Sequence, residues 1–511
     1  MAAIQKVLEL KSPYNIEEFI VIKDYLLDAL EGCEEHDENL KSVLCNEIRT
    51  FLHMAVLLTD KSCLSDYGQF IEILFSKNFS FLRSILKLSY FIPIRDLFPN
   101  IPIQLVDKSN FFVSLQNGYY RNIRLDNVTQ IMTYHPRYLE HYLTAQEYLL
   151  FGGAEIVPLK NSYCQYLSII AAAEQNCEYL VELDSNVFQA SQAEDNNWLL
   201  GFSSSPNKIQ KLTLLNKLLA HTPWNITDSH IRSLCECESD RWTLQELLHA
   251  MFVMIHAHSL CGFVFGCGIS KVKSEDSRPP SAAETVENGY CEDLQRAMEP
   301  LYPFYQQSYS EPATDFDSEF QALLSEQYPF DDLTSNDPPS ALQKFLDEDV
   351  NLSNSSPTQI RALSVSEFNW DIHCTSLLQS LGAAEAAPIF SRKSEEARGI
   401  TYMTLGRNQG VDTTPFRRAV WNYCHCLFYI KHDDYKYSHI GKVLDEPLKK
   451  YIKTVALHPH QMTRAKYDSC MKDFLHSEKV HVNLLVMESR IRASMLYALR
   501  AVNGYKNGEV A

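Results

Sequence analysis

Apolar residues recur at three- and four-residue intervals through most of this chain, in blocks separated by proline, glycine or acidic stretches. Ile16, Phe19, Ile20, Ile22, Tyr25, Leu26 and Leu30 form one amphipathic run, and 44–58 forms a second. Proline-containing breaks in FIPIRDLFPNIPIQL then mark a hinge around 91–105. From 125 to 268 the pattern is helical again. His135-Pro136 opens a helix with a stripe through Leu139, Tyr142 and Leu143. The spacing over 163–183 predicts one long helix, with Tyr166, Ile170, Ala173, Cys177, Val181 and Asp184 near one face. Thr222-Pro223-Trp224 breaks the chain before a helix at 227–235. Thr243 reads as the N-cap of a helix over 244–256, with Glu246 completing a capping box. Helical spacing resumes from 363 to 505. Pro415 precedes a stripe at Phe416, Ala419, Val420, Tyr423 and Leu427, 448–457 follows, and 479–502 carries Val482, Leu485, Met487, Ile491, Met495 and Leu499.

The pattern predicts an all-α fold in four parts: a helical N-terminal extension (1–105), a helical domain (106–270), a linker (271–357) and a second helical domain (358–511). No internal sequence repeat is visible.

Charge sharpens the linker. The net charge is −18, and 271–350 alone holds eighteen Asp/Glu against five Lys/Arg, leaving the remainder near −5. Residues 271–357 are rich in Ser and Pro and poor in β-branched residues, so they are expected to be largely disordered; their aromatic islands LYPFYQQSY and EQYPFDDL read as docking motifs, short packed helices or unstructured chain. The acidity argues against nucleic acid or an anionic membrane as partner. The 14 cysteines at irregular spacing, behind a start without a charged-then-apolar leader, fit a reducing compartment: the cytoplasm, with the nucleus left open. The window 247–270 has no Lys, Arg, Asp or Glu, and its three histidines make it a buried core helix rather than a membrane span.

The richest chemistry lies in 410–437, GVDTTPFRRAVWNYCHCLFYIKHDDYKY. Arg417 and Arg418 sit near the start of an apolar-faced helix, where a buried Arg needs an anionic partner. Asp433 and Asp434 follow its end. A surface Arg pair with a solvated acidic turn is the plain alternative.

This stretch resembles the sestrin family, in VDT, RRA, WNY, HC and DDY-x-Y. Further segments agree in the family's order: LDNVTQIMTYHPRYLEHYL (125–143), IIAAAEQNCEYLV (169–181), LNKLLAHTPWNIT (215–227), FVFGCGI (263–269), YIKTV (451–455), HSEKVHVNLLVMESR (476–490) and LYALRA (496–501). The likeness covers roughly 125–270 and 360–503. It implies two alkylhydroperoxidase-D-like helical halves packed together, and a regulator that inhibits TOR kinase signalling by binding the GATOR complex, in some members released by leucine.

The resemblance also implies residue roles. An amino acid's carboxylate would meet Arg417, its ammonium Glu478, with Thr401, Tyr402, Thr404 and Thr413 in the lid and pocket. Arg suits the first role through its planar fork; a structural Arg417–Glu478 ion pair is the alternative. Phe416 stands where the family has leucine and Met471 where it has tryptophan, which alters the side-chain pocket and puts leucine selectivity in question. Asp433 and Asp434 would contact the partner. Cys177 and Tyr179 match a hydroperoxide-reductase-like site, but Asp184 replaces its histidine. An anion there would disfavour the thiolate, so the enzyme reading weakens against that of a buried core cysteine. A ligand-independent stress-response scaffold is a third reading. Cys235-x-Cys237, His256-x-His258 and Cys424-His425-Cys426 form no ordered metal-ligand set, and no cofactor motif is present.

Overall fold

The computed structural model describes residues 24, 26–28, 89–92, 126–132, 134–151, 159–191, 196–269, 316–325, 340–347 and 362–508. Most of the 1–105 extension, and both aromatic islands of the linker, lie outside the described residues.

The helices that frame the fold are α1 (Asn127–Met132), α2 (Pro136–Gln146), α3 (Asn161–Glu174), α4 (Glu178–Ala190), α5 (Thr213–His221), α6 (Asp228–Cys235), α7 (Leu244–Gly266), α8 (Ala386–Gly399), α9 (Thr414–Leu427), α10 (Glu446–Leu457) and α11 (His476–Asn507). Among the described residues, strand structure consists of two-residue pieces and one isolated bridge, Ser89 to Ile269. β1 (Leu363–Ser364) pairs in parallel with β4 (Ile430–Lys431), and β2 (Thr404–Leu405) pairs antiparallel with β3 (Asn408–Gln409). The architecture is all-α.

Local signals set the helix ends. Pro136 and Pro415 open α2 and α9. The Thr243 hydroxyl accepts from the Glu246 amide, completing the expected capping box of α7. That helix runs ten residues past the expected 256, because its apolar composition continues and nothing breaks it before Cys267. Gly508, with φ +70°, ends α11 in the left-handed conformation that glycine adopts without strain.

One expected helix is two. The chain breaks at Gln175 and Asn176, with Asn176 at φ +57°, so 163–183 divides between α3 and α4 and Cys177 becomes the cap of α4. No proline or glycine announces the break; asparagine tolerates the left-handed region better than most residues. The two helices then pack side by side.

The core is built around α7 and α11, which pack on each other; α3 and α5 cover α7, while α9, α8 and α6 cover α11. Helix α7 is long and apolar enough to cross a membrane, yet its apolar stretch lies wholly inside the protein. Its glycines admit the neighbours: a Cβ on Gly266 would sit 2.0 Å from Asn483 Oδ1. Tyr451 donates to the Gly266 carbonyl at 2.8 Å and receives the Asn483 amide at 2.8 Å, tying α10 and α11 to the end of α7. A buried ion pair crosses the core, Lys393 to Glu488 at 3.0 Å, with Tyr138 donating to the same carboxylate at 2.5 Å.

The acidic stretch is not wholly without structure. Phe316–Ser325 is helical and buries Phe320 edge-on against Tyr437, with centroids 5.1 Å apart. Beyond Ser340–Gln343, Phe345 packs on Tyr166. These two pieces are ordered exceptions within a stretch expected to be largely disordered, where isolated apolar residues find the parent core.

Candidate ligand-binding site

Between α8 and α9 the chain doubles back through segment 400–406, the β2–β3 hairpin and Gly410. Met403 at φ +56° and Gly406 at φ +60° shape the turns, and the Met403 amide donates to the Thr401 hydroxyl at 3.2 Å. A side chain at 406 would press within 3.0 Å of the Asp473 carbonyl. The Asp412 carboxylate accepts from the Thr414 amide at 2.9 Å, so Pro415 falls in the first turn of α9 and Arg417 faces back toward this segment.

Arg417 is half-buried. Its Nε donates to Thr413 Oγ1 at 3.1 Å, one Nη to Thr414 Oγ1 at 3.0 Å and the other to the Arg398 carbonyl. Thr413 in turn donates to Thr401 at 3.3 Å. All of these acceptors are neutral, and partial burial pulls the guanidinium down from its ordinary value.

Glu478 occupies the first turn of α11 and is 8% exposed. Its Oε2 accepts from the Leu475 and Gly406 amides, each at 2.9 Å, and its Oε1 from the Thr404 hydroxyl at 3.0 Å. The ion pair weighed as an alternative from the sequence is therefore not formed. Arg417 and Glu478 grip opposite ends of the same short segment, one through Thr413 and Thr401, the other through Thr404 and Gly406.

Two histidines complete the site, and the sequence did not single them out. Neutral His135, lowered to about 4 by burial, donates from Nε2 to the Ser477 carbonyl at 2.8 Å. That tautomer leaves Nδ1 to accept from Tyr402 Oη at 2.9 Å. His481 donates to the Ala397 carbonyl at 2.7 Å, its ring 5.6 Å from that of His135, and burial lowers it to about 3. The spacing of His481 from Glu478 on one helix face was the available signal; His135-Pro136 reads only as a helix start.

The side-chain positions sit close by. Phe416 is buried with its ring edge-on to Phe474 at 5.6 Å. Met471, buried at φ +52°, begins the turn in which the Phe474 amide returns to its carbonyl.

The acidic turn follows β4. Asp433 accepts from the Ser364 hydroxyl and lies 3.5 Å from Lys431, interactions that hold its carboxyl below the usual range despite an opposing burial effect. Asp434 is 81% exposed, 3.8 Å from Arg418. Arg418 also lies over the buried Tyr435 ring at 5.6 Å. Adjacent arginines of α9 thus address different places, one the 400–406 segment and one the acidic turn.

The thiol lies in the core, the setting of the buried-cysteine reading. Cys177 is buried, and the neighbouring Cys261 thiol is pushed up by burial and by Cys177. Tyr179 Oη accepts from the Asn127 amide at 3.0 Å. Asp184 is not the plain anion expected from its usual range: it accepts from Ser168 at 2.6 Å, and burial raises it to about 7. Among the described residues no group of three His, Cys, Asp or Glu side chains gathers as a metal site. His425 instead contacts His432, 2.7 Å between ring nitrogens.

A family model described as "PA26 p53-induced protein (sestrin)" matches residues 88–328 and 306–506. The chain belongs to the sestrin family. Sestrin-2 of Homo sapiens is 35% identical over 447 residues, covering 82% of this chain and 90% of that protein. Sestrin-1 of Xenopus laevis is 36% identical, covering 75% and 85%, and sestrin-3 of Mus musculus is 32% identical, covering 78% and 88%.

Proposed function

We propose that this sestrin is an intracellular, amino-acid-responsive inhibitor of TOR kinase signalling, acting by binding the GATOR complex from the cytoplasm, with the nucleus as a second location. One observation carries the reading: two opposite charges hold the two ends of one short segment without pairing with each other. Arg417 would take the ligand carboxylate and Glu478 its ammonium, with Thr401, Tyr402, Thr404 and Thr413 closing over it. Asp433 and Asp434 would present the partner contact. The Phe416 and Met471 substitutions leave backbone recognition intact but change what side chain fits, so the ligand is leucine or another amino acid.

The test is a thermal-shift screen of the twenty amino acids on the full chain, followed by GATOR capture with and without any hit. A ligand at 100 times its Kd adds about 2.7 kcal/mol of stability. A hit that releases GATOR supports the proposal. A flat panel removes the sensor and leaves the ligand-independent scaffold. The burial of Cys177 speaks against the thiol-dependent hydroperoxide reductase.

A further inference from the structure

A cavity of about 70 Å³ lies among α2, α3, α4 and α7, lined by a different set of residues from the Arg417–Glu478 site. Asp126 and Asp184 share its wall with His256. The Asp126 carboxylate accepts from the Thr129 amide at 2.8 Å and Asp184 accepts from Ser168 at 2.6 Å, with no cationic partner for either among the described residues. The third group is an independent sign. His256 is 4% exposed, and its Nε2 has no hydrogen-bond partner. Buried polar atoms are rarely left so. Leu183, Val187, Val253 and Leu260 add apolar surface to the same lining.

The wall offers acceptors and aliphatic surface but no cation. Three ligating side chains do not gather, which disfavours a metal ion. At about 10–15 Å³ per water-sized group, the space suits roughly five non-hydrogen atoms. We propose that this cavity binds a short-chain aliphatic ammonium ion, its charged end between Asp126 and Asp184 and its chain against the leucines and valines.

Burial raises both carboxyls, to about 6 for Asp126 and about 7 for Asp184, and the nearby Asp126 adds to the rise at Asp184. The other titratable groups facing them are Tyr142 of α2, Tyr179 of α4 and Cys261 of α7, all raised by burial. His256 is held neutral by burial and by Lys393 of α8. A bound cation would favour the ionised carboxyls, so binding expels protons and tightens as pH rises.

Isothermal titration of the full chain with n-butylammonium chloride tests this, with n-butanol as the uncharged control. One ammonium bound per chain, at least tenfold tighter than the alcohol, is expected. Affinity should rise at least tenfold from pH 5.5 to 7.5, a readout that needs no variant. Asp184→Asn and Asp126→Asn, which keep shape, should each weaken binding at least tenfold with unchanged far-UV circular dichroism. No binding, equal binding of the alcohol, a pH-independent affinity or unaltered binding by folded Asp184→Asn overturns the proposal. So does a crystal structure of the soaked protein with only water in the cavity.

Discussion

Glu478 has two separable duties, and a pair of substitutions divides them. Its carboxylate receives three hydrogen bonds, two from backbone amides of separate segments and one from a hydroxyl, while itself largely buried. Hydrogen bonds to a charged group contribute about 1.5–3 kcal/mol each, and a stranded buried amide costs about 1–3 kcal/mol. These contributions overlap, because all three bonds fasten one turn. Glu478→Ala should therefore destabilise the fold by about 3–5 kcal/mol. Glu478→Gln is different. Its carbonyl oxygen can replace Oε2 beneath the Leu475 and Gly406 amides, and its NH2 can donate to Thr404, whose hydroxyl accepts as readily as it donates. The structural loss should be near 1 kcal/mol. Denaturant titration of both variants, with m-values compared, measures it. On the proposed function, Gln should nonetheless abolish amino-acid stabilisation, having lost the charge that meets an ammonium. Equal destabilisation by Gln and Ala would refute the hydrogen-bond argument. Full ligand response in the Gln variant would refute the sensing role.

Three further outcomes follow from buried charge and from the lid. Lys393→Ala strands Glu488 in the core and should cost about 3–5 kcal/mol in denaturant unfolding, far more than a surface lysine. Raised to about 7 in the folded protein from 3.8, Asp184 binds its proton more tightly when folded, so its contribution is greatest below about pH 4 and is lost as pH rises toward 7. Asp184→Asn lacks that loss, and its stability relative to the parent should climb across this window, by up to about 4 kcal/mol at 1.36 kcal/mol per unit, as read by melting at several pH values. His135→Ala removes the acceptor for Tyr402 and the donor to Ser477, so amide exchange across 400–406 should accelerate while the α7–α11 core stays protected.

Much of the fold was legible because helical spacing and capping chemistry are local. Thr243 with Glu246 and the apolar run after them determine α7 without reference to anything distant, and the apolar stripe beginning at Val482 does the same for α11. The break at Asn176 was not legible, since nothing in AAAEQNCEYL forbids a continuous helix; what decides it is how α3 and α4 lie against each other in the core. At the candidate site Arg417 was legible from its place near the start of an apolar-faced helix, but its grouping with Glu478 and the threonines came only through the family likeness. The neutral partners of Arg417 could not be read from either source. The Arg398 carbonyl is free to accept only because α8 ends there, and that end depends on tertiary packing. Asp184 shows the same limit: its usual pKa made it an anion, whereas its burial beside Asp126 makes it half-protonated near neutrality.

A ligand shifts an equilibrium only by contacts that differ between two arrangements. On the proposed function, the donors that now occupy Glu478 are those that an ammonium would have to displace or share: the Thr404 hydroxyl and the Gly406 amide, both on the 400–406 segment. The third donor, the Leu475 amide, belongs to the N-cap of α11 and can remain. Engaging Glu478 would thus loosen the segment at its far end, while Arg417 holds the near end through Thr413 and Thr401. Such a movement need not stay within the C-terminal half, because Tyr402 is fastened to His135 from the turn before α2. Arg418, next in chain to Arg417, reaches the exposed Asp434, so a shift in the first turn of α9 has a direct route to the acidic surface. The exposed pair there contributes little stability of its own. It can therefore be remade at low cost, as a surface read by a partner in only one arrangement requires.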